Sequence, residues 1–362
     1  MMKLPLNDQH ELLGAKLGEF AGFNMPLYYS KPIEEHHAVR QSAGLFDISH
    51  MGQFMAEGER AEAFLDHSLP NAVREMNDGD ALYSPLCHTD GGVLDDLIIY
   101  RYSPTQYRII VNASNREQDF QWLATLAGEF DVSLKDMTND LCLLAVQGPE
   151  AFSRLAPHLD HPAGEMGYYT FKETRIFGHE AFMARTGYTG EQGVELAVAR
   201  EKATELWQQL TGKLDIIPIG LAARDTLRLE ACMALYGHEL RRHWQPFESG
   251  VGWAVKLDKG DFVGRAPLQK VKESGNTHLL AGIEITGRGI PREGYPVLSE
   301  GKPIGEITSG ALSPTTGRSV AMAHVDAAYA KKGTELAVEI RGKSIAAVVT
   351  ARPFYKNPLL RD

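Results

Sequence analysis

The segment that most constrains this chain runs from Gly91 to Tyr100 and reads Gly-Gly-Val-Leu-Asp-Asp-Leu-Ile-Ile-Tyr. The two glycines indicate a turn, and the branched residues after them favour a strand. A strand turns successive side chains to opposite faces, so Asp95 and Asp96 should lie on different faces, each of which is otherwise apolar. At least one carboxyl group must therefore leave water. Against an apolar face, such a carboxyl group either finds hydrogen-bond donors or has its pKa raised.

The strand alternation also predicts which residues accompany each carboxylate. The two predicted faces are Leu94, Asp96, Ile98 and Tyr100 on one side, and Val93, Asp95, Leu97 and Ile99 on the other. Two interpretations stay open on this segment alone. Both acids cap backbone amides at a wetted strand end, or one of them is held with a perturbed pKa at a functional site.

Length and composition set limits on the rest of the chain. A chain of 362 residues is too long for one ordinary core and indicates two or three domains. No apolar run approaches the roughly 20 residues that span a membrane, and the N-terminus lacks the apolar core of a signal peptide. We therefore expect a cytoplasmic protein. The net charge of −10 argues against nucleic acid or an anionic membrane as a partner.

Neither a disulfide framework nor a metal site is indicated. The three cysteines are odd in number, widely spaced and outside any Cys-x-x-Cys motif. His36 and His37 are adjacent on a predicted helix and so point to different faces, which disfavours a shared ligand set with His50. We predict no metal.

The first half of the chain contains one compact module. A helix over Glu34–Ala43 is predicted to end at Gly44 in a left-handed cap. Between about residues 55 and 130, a short helix, three strands and a second helix suggest an α+β module. The second helix is predicted to open with a capping box formed by Ser114 and Glu117.

The second half adds a glycine-rich loop, an arginine-bearing helix and a separate C-terminal unit. The three glycines of the loop Thr186–Glu195 predict positive φ angles or close backbone approach. The helix Leu221–Met233 places Arg224 and Arg228 one turn apart, either for a ligand or as an ion-pair set on the helix surface. Five short strands after Leu279 predict a small antiparallel barrel or sandwich.

These motifs together resemble the aminomethyltransferase family, the T-proteins of the glycine cleavage system. The motifs that carry the resemblance are Phe46–Met51, Gly91–Ile98, Gln147–Pro149, Arg185–Glu191, Gly220–Ala231 and Ile307–Gly310. They occur in the order and spacing typical of the family, and the resemblance covers nearly the whole chain.

The resemblance implies an α+β fold, a three-domain cloverleaf around a central folate channel with a C-terminal antiparallel β-barrel. The implied domains are a discontinuous folate-binding domain (1–52 and 136–265), an inserted α+β domain (53–135) and the barrel domain (266–362). It also implies an activity. The methylene carbon of an aminomethyl group on the lipoyl arm of the H-protein passes to tetrahydrofolate, and ammonia is released.

The resemblance further implies roles for particular residues. Asp96 matches the acid that handles the proton of the folate amine, as a general base does. Glu195 matches the carboxylate that accepts the donor pair of the pterin ring, and Arg224 matches a folate-contacting arginine. The predicted further cofactor-binding residues, as walls of the channel, are Tyr83, Tyr100, Asn112, Tyr168 and Tyr188.

One stretch departs from the family pattern and keeps alternatives open. After Tyr236-Gly237, family members usually carry an acidic segment, whereas this chain has His238–Trp244. A tetrahydrofolate-dependent demethylase of the same fold, acting on a small methylated compound, is therefore a second hypothesis. A folate-binding accessory protein for iron–sulfur assembly is a third, but such relatives carry a cysteine where this chain has Thr186–Gly190.

The H-protein would need a docking surface near the channel mouth. Because the whole chain is acidic, a local basic cluster would have to steer an acidic carrier. The candidates are Arg241–His243 in the departing stretch and the pair Arg288 and Arg292 in the C-terminal domain. The alternative is that these are ordinary solvated charges.

Overall fold

A computed structural model describes residues 1–357 of the chain. In chain order the strands are β1 (Met2–Lys3), β2 (Lys16–Phe20), β3 (Phe23–Tyr28), β4 (Gly44–Asp47), β5 (Gly52–Glu57), β6 (Ala81–Cys87), β7 (Val93–Ser103), β8 (Gln106–Val111), β9 (Ser133–Asp136), β10 (Leu141–Gln147), β11 (Phe171–Ile176), β12 (His179–Ala184), β13 (Gly193–Ala199), β14 (Ile217–Pro218), β15 (His278–Ile285), β16 (Pro296–Ser299), β17 (Lys302–Leu312), β18 (Ser319–Asp326), β19 (Glu335–Ile340) and β20 (Lys343–Thr350). The α-helices are α1 (Asn7–Leu12), α2 (Pro32–Gln41), α3 (Ala61–Ser68), α4 (Arg116–Gly128), α5 (Ala151–Leu155), α6 (Ala203–Gln208), α7 (Leu221–Glu230) and α8 (Arg265–Ser274).

The strand that carries the two acids lies inside a five-stranded antiparallel sheet with the order β6-β7-β8-β5-β9. One face of this sheet packs against α3 and α4, whose buried residues include Phe64 and Leu123. The opposite face contributes Tyr100 and Ile110 to a second core, which it shares with the next sheet. Both faces of β7 are therefore covered by protein, which explains why both are apolar in sequence.

A six-stranded sheet with the order β11-β12-β13-β10-β4-β14 provides the other wall of that shared core. Its strand β13 carries Glu195, which pairs across the ladder with Ala145 of β10. Helix α7 packs on the same side, because Ala223 and Leu227 belong to the core that also holds Tyr100. Glu195 and Arg224 are thus brought toward β7 by packing. A small three-stranded sheet, β1-β3-β2, lies at the N-terminal end of the chain.

The C-terminal strands form a closed six-stranded antiparallel barrel with the order β15-β18-β17-β16-β19-β20. The closed barrel confirms the predicted α+β class with a C-terminal barrel, and it excludes the sandwich that the strand pattern left open. The sequence prediction missed β16, a short strand of four residues. The predicted boundaries of the three domains stay a prediction, and their last stretch, 358–362, lies outside the described residues.

A bulge in β7 corrects one detail of the predicted faces. The register with β6 shifts at Leu86, so that Leu94 is an extra residue in its strand. Leu94 therefore packs into the helix-covered core, and Val93 joins a separate cluster. The prediction placed Leu94 with Asp96 and is wrong there. Beyond the bulge the alternation holds, and Ile98 packs against the shared core on the predicted side.

Two predicted helix ends also differ from the structure. Gly44 is not a left-handed cap but the first residue of β4, where a Cβ atom would lie 2.5 Å from a Val39 methyl group. Helix α4 begins at Arg116 without the predicted Ser114 capping box. Its N-cap, Asn115, directs its side chain to Asp95 instead, because the buried carboxylate needs that donor.

Two absences can be stated for residues 1–357. The helices there include none that is long and apolar enough to cross a membrane. The same residues hold no group of three or more histidine, cysteine or acidic side chains suited to a metal ion.

Candidate functional site

A cavity of about 700 Å³ lies between the two sheets, the end of α7 and the irregular segment that follows it. Its lining comes from stretches as distant as Phe20 and Arg352. Six of the eight predicted site residues line it, namely Asp96, Glu195, Arg224, Tyr83, Asn112 and Tyr188. The fold therefore brings together residues that are more than 100 positions apart in the chain.

Asp96 lies in the cavity wall with an unusual electrostatic environment. Burial, and then the negative charge of Asp95, raise the pKa of Asp96 to about 7. Hydrogen bonds from Tyr83 and Asn112 oppose this rise by stabilising the ionised form. The result is a carboxyl group that can gain or lose a proton near neutral pH.

Asn112 joins the two adjacent acids. Its side-chain nitrogen lies 2.8 Å from Oδ1 of Asp95 and 2.8 Å from Oδ1 of Asp96. One amide group with two N–H hydrogens thus donates to two carboxylates that would otherwise repel each other. Asp95 is fully buried and also accepts hydrogen bonds from the Asn112 backbone N–H and from Asn115.

Glu195 offers an acceptor on the opposite side of the cavity. Its side chain is 8% exposed, and its Oε2 accepts a hydrogen bond of 2.6 Å from the Thr186 hydroxyl. Within 1–357 no residue donates to its other oxygen, Oε1. Burial raises the pKa of this carboxyl group. One acceptor oxygen is therefore left for a ligand.

Arg224 offers donors in the same cavity. Its guanidinium stacks on the Tyr188 ring at 4.7 Å and makes no hydrogen bond to another residue of the described range. Burial lowers the pKa of Arg224, as expected for a charge that few partners compensate. The alternative prediction, an ion pair on the helix surface, holds for Arg228 and not for Arg224. Arg228 lies one turn later and pairs with Asp225 at 2.7 Å.

The loop that carries Tyr188 is shaped by its glycines, as the sequence predicted. A Cβ atom on Gly187 would lie 2.1 Å from the Gln147 side chain, and one on Gly193 would lie 2.3 Å from the Val146 carbonyl. Gly190 has a φ of 75°. Close packing against β10 therefore requires glycine here.

The predicted walls Tyr100 and Tyr168 do not line the cavity. Tyr100 is fully buried between the sheets, in edge contact with the Phe182 ring at 5.0 Å. Tyr168 is 56% exposed. Its neighbour Tyr169 lines the cavity instead, because a backbone φ of 57° at Tyr169 turns the chain at that point.

Sequence reasoning missed other lining residues. His50 is 4% exposed, and its Nδ1 has no hydrogen-bond partner within residues 1–357. Burial, and then the nearby charge of Arg224, lower the pKa of His50 to about 3, so its imidazole is neutral. Trp253 is 63% exposed and stacks on Tyr83 at 5.4 Å. His50 lies within a recognised motif and could have been found, whereas Trp253 follows an irregular segment without a signal.

The segment that departs from the family pattern is anchored by a buried ion pair. Arg228 is 1% exposed, and its Nη1 lies 2.7 Å from Oε2 of the fully buried Glu239. Glu239 also accepts a hydrogen bond of 2.6 Å from Thr308 of the barrel. This network holds the segment between α7 and the barrel beside the cavity.

The predicted basic clusters differ in how far their charges are compensated. Arg241 pairs with Glu306, and Arg242 pairs with Asp90 at 2.8 Å. Arg288 and Arg292 form no ion pair with any residue of 1–357. Of the two candidates, only the second presents uncompensated positive charge.

Comparison with known proteins agrees with this architecture. The sequence profile of the GCVT N-terminal domain matches residues 6–259, and that of the glycine cleavage T-protein C-terminal barrel domain matches residues 279–356. A protein from Thermotoga petrophila named aminomethyltransferase is 43% identical, with complete coverage of both chains. One of the same name from Desulfitobacterium hafniense is also 43% identical and covers 99% of both.

A solved structure gives the same result for the fold. The glycine cleavage system aminomethyltransferase T from Bartonella henselae superposes with a TM-score of 0.92 at 36% identity and covers 98% of both chains. The full-length identity to proteins named aminomethyltransferase favours the first of the three functional hypotheses over the demethylase and the accessory protein. The chain belongs to the aminomethyltransferase family, the T-proteins of glycine cleavage.

Proposed function

We propose that this protein transfers the methylene carbon of an aminomethyl group, carried on the lipoyl arm of the H-protein, to tetrahydrofolate with release of ammonia. One observation carries the proposal within this family. Asp96, with a pKa of about 7, lies in the wall of the cavity that also holds Glu195 and Arg224.

The lining of the cavity fits a reduced folate. Its volume of about 700 Å³ is within the range typical of small-molecule sites. Glu195 has a free carboxylate oxygen beside the one held by Thr186, and a pterin ring presents an amino group and an adjacent N–H as donors. The guanidinium of Arg224 supplies donors for the ligand's carbonyl or carboxylate oxygens. Ile98 and Tyr83 provide apolar surface for the flat ring.

Asp96 would perform the proton step. Carbon transfer needs a folate amine with a free lone pair, so its proton must be accepted or held by a nearby group. Asp96 can do this in its ionised form. The 2.8 Å hydrogen bond from Asn112 fixes the carboxylate in the cavity wall, so little reorganisation is needed at the moment of reaction. A positioned base of this kind contributes about 10²–10⁴-fold to the rate.

The proposed carrier would approach the mouth of the cavity. Trp253 and Tyr236 line the cavity, and Trp253 is largely exposed there. Uncompensated Arg288 and Arg292 in the barrel domain offer positive charge to an acidic carrier. Glu293, the neighbour of Arg292, lies 3.5 Å from His238, which lines the cavity, so we assign the proposed docking surface to this loop rather than to Arg241–Arg242.

The test is a complete reaction with purified components. Tetrahydrofolate and H-protein loaded with the aminomethyl group should yield ammonia and methylenetetrahydrofolate in equal amounts, and omission of either substrate should abolish both products. Tetrahydrofolate at 100 times its dissociation constant should also stabilise the fold by about 2.7 kcal/mol. A protein that forms neither product and whose unfolding temperature is unchanged by saturating tetrahydrofolate would contradict the proposal.

A further inference from the structure

Asp119 of α4 is a buried acid without a hydrogen-bond donor. Its side chain is fully buried, and neither of its oxygens finds a donor among residues 1–357. An ionised carboxylate in such a place would have no compensation for the loss of water. None of the sequence motifs includes this residue, and the proposed mechanism does not use it.

The polar contact that Asp119 does make is to another carboxyl group. Asp119 lies one turn of α4 after Asn115, whose side-chain amide donates to Asp95, so the two buried carboxyl groups belong to one cluster and interact electrostatically. Two carboxyl groups can share a hydrogen bond only if one of them carries a proton. Asp95 accepts N–H bonds of 3.1 Å and 2.8 Å from Asn112 and of 2.8 Å from Asn115. These donors favour the ionised form of Asp95, so the shared proton belongs on Asp119.

The charges around Asp119 support the same assignment. Asp95 and Asp96 face it from β7, and burial together with these charges raises the pKa of Asp119 to about 11. Tyr236, in the irregular segment after α7, lies near all three acids and also near Arg242. Arg242 is itself paired with Asp90, so no cation of the described chain compensates Asp119 directly.

We propose that Asp119 is a positioning residue, a carboxylic acid that stays protonated, donates its O–H to Asp95 and thereby holds Asn112 and Asp96 in their reactive arrangement. The chain of contacts runs from Asp119 through Asp95 and the Asn112 amide to Asp96. Because Asp119 is neutral, a single negative charge lies beside Asp96. A second negative charge there would raise the pKa of Asp96 well above neutral pH. Asp96 would then be protonated at neutral pH and could not act as a base.

Two substitutions of similar size separate this role from simple packing. Asp119→Asn keeps a donor for Asp95 and is neutral, so the acidic limb of the kcat–pH profile should stay at its wild-type position. Asp119→Leu fills the space but cannot donate. It should lower kcat by about tenfold or more with little change in the KM for folate, because Asp95 and Asn112 lose their fixed orientation. If Asp119 is ionised instead, Asp119→Asn removes a charge and moves the acidic limb down by about one to three pH units, which overturns the proposal.

The inference rests on the proposed role of Asp96, so a second measurement avoids turnover. Difference infrared spectra at about pH 8.5, where Asp96 is ionised, should show the carbonyl band of a protonated carboxyl group in the wild type and not in Asp119→Asn. Substitution of the exposed Asp131 by Asn is the matched control and should leave the band in place. A wild-type protein without that band refutes the inference even if the enzyme is active. An inactive wild type that shows the band refutes the proposed function alone.

Discussion

The substitution Asp96→Asn gives the strongest test of the chemistry. The amide keeps the size of the side chain and retains an oxygen that can accept the 2.8 Å hydrogen bond from Asn112. What it removes is the basic oxygen in the cavity wall. We therefore expect turnover to fall while tetrahydrofolate still binds.

The magnitude follows from the position of the acid. With a pKa of about 7, Asp96 is mostly ionised at pH 8 and mostly protonated at pH 6, so wild-type kcat should fall about tenfold between these values. The sign is fixed because only the ionised form accepts a proton, and activity is lost as the pH falls through the pKa. Removal of the base should reduce kcat by about 10²–10⁴-fold at pH 8 and abolish this acidic limb.

Single-turnover formation of methylenetetrahydrofolate from loaded H-protein measures the chemical step, and calorimetric titration measures folate affinity separately. The matched control is Asp90→Asn, an acid in the turn before the same strand with a side chain that is 59% exposed, which should leave the rate within a factor of about two. The reasoning fails if Asp96→Asn retains more than a tenth of the wild-type rate. It also fails if Asp95→Asn is inactive while Asp96→Asn is active.

Three further predictions concern the ligand, the fold and the carrier. Arg224→Lys should weaken folate binding about as much as Arg224→Ala, roughly tenfold, because an ammonium group cannot reproduce a planar fork of donors; isothermal titration of both variants checks this. Glu239→Ala should destabilise the protein by about 1–3 kcal/mol in urea unfolding, because Nη1 of the buried Arg228 and the Thr308 hydroxyl both lose this acceptor while Asp225 still pairs with Nη2. Charge reversal to Glu at both arginines of the Arg288–Arg292 loop should slow H-protein association at low salt more than the same reversal of the Arg241–Arg242 pair, whose charges are already matched.

Each of these predictions has a contrary outcome. Near wild-type affinity in the lysine variant would reduce Arg224 to an electrostatic or packing residue. A loss of less than about 1 kcal/mol at Glu239 would mean that Asp225 alone compensates the charge of Arg228. Equal rates of H-protein association for the two charge reversals would exclude the loop with Arg288 and Arg292 as the docking surface.

Local chemistry was readable from the sequence because it depends on neighbours in the chain. Branched residues after two glycines predicted the strand β7, and the glycine spacing predicted close packing in the loop before Glu195. The order of the motifs indicated the family, and with it the α+β class, the C-terminal barrel and the expected site residues Asp96 and Arg224. These conclusions need only the local pattern and its register along the chain.

Tertiary structure decided what depends on partners distant in sequence. The bulge at Leu94 arises from pairing with β6, and the inward position of Tyr169 rather than Tyr168 arises from one turn of the backbone. Hydrogen-bond partners are not encoded by spacing, so the bonds from Asn112 and Asn115 to Asp95 could not be predicted.

The pKa of Asp96 likewise depends partly on the local sequence and partly on the tertiary structure. Its sequence neighbours indicate that an acid is removed from water, and that much follows from strand alternation. The direction and size of the shift depend on which donors reach it and on the charge of Asp95 beside it. Burial and donors are set by the packing of the two sheets and α4. The sequence thus determined that a carboxylate is buried on this strand, and the fold alone decided that it can act as a base near neutral pH.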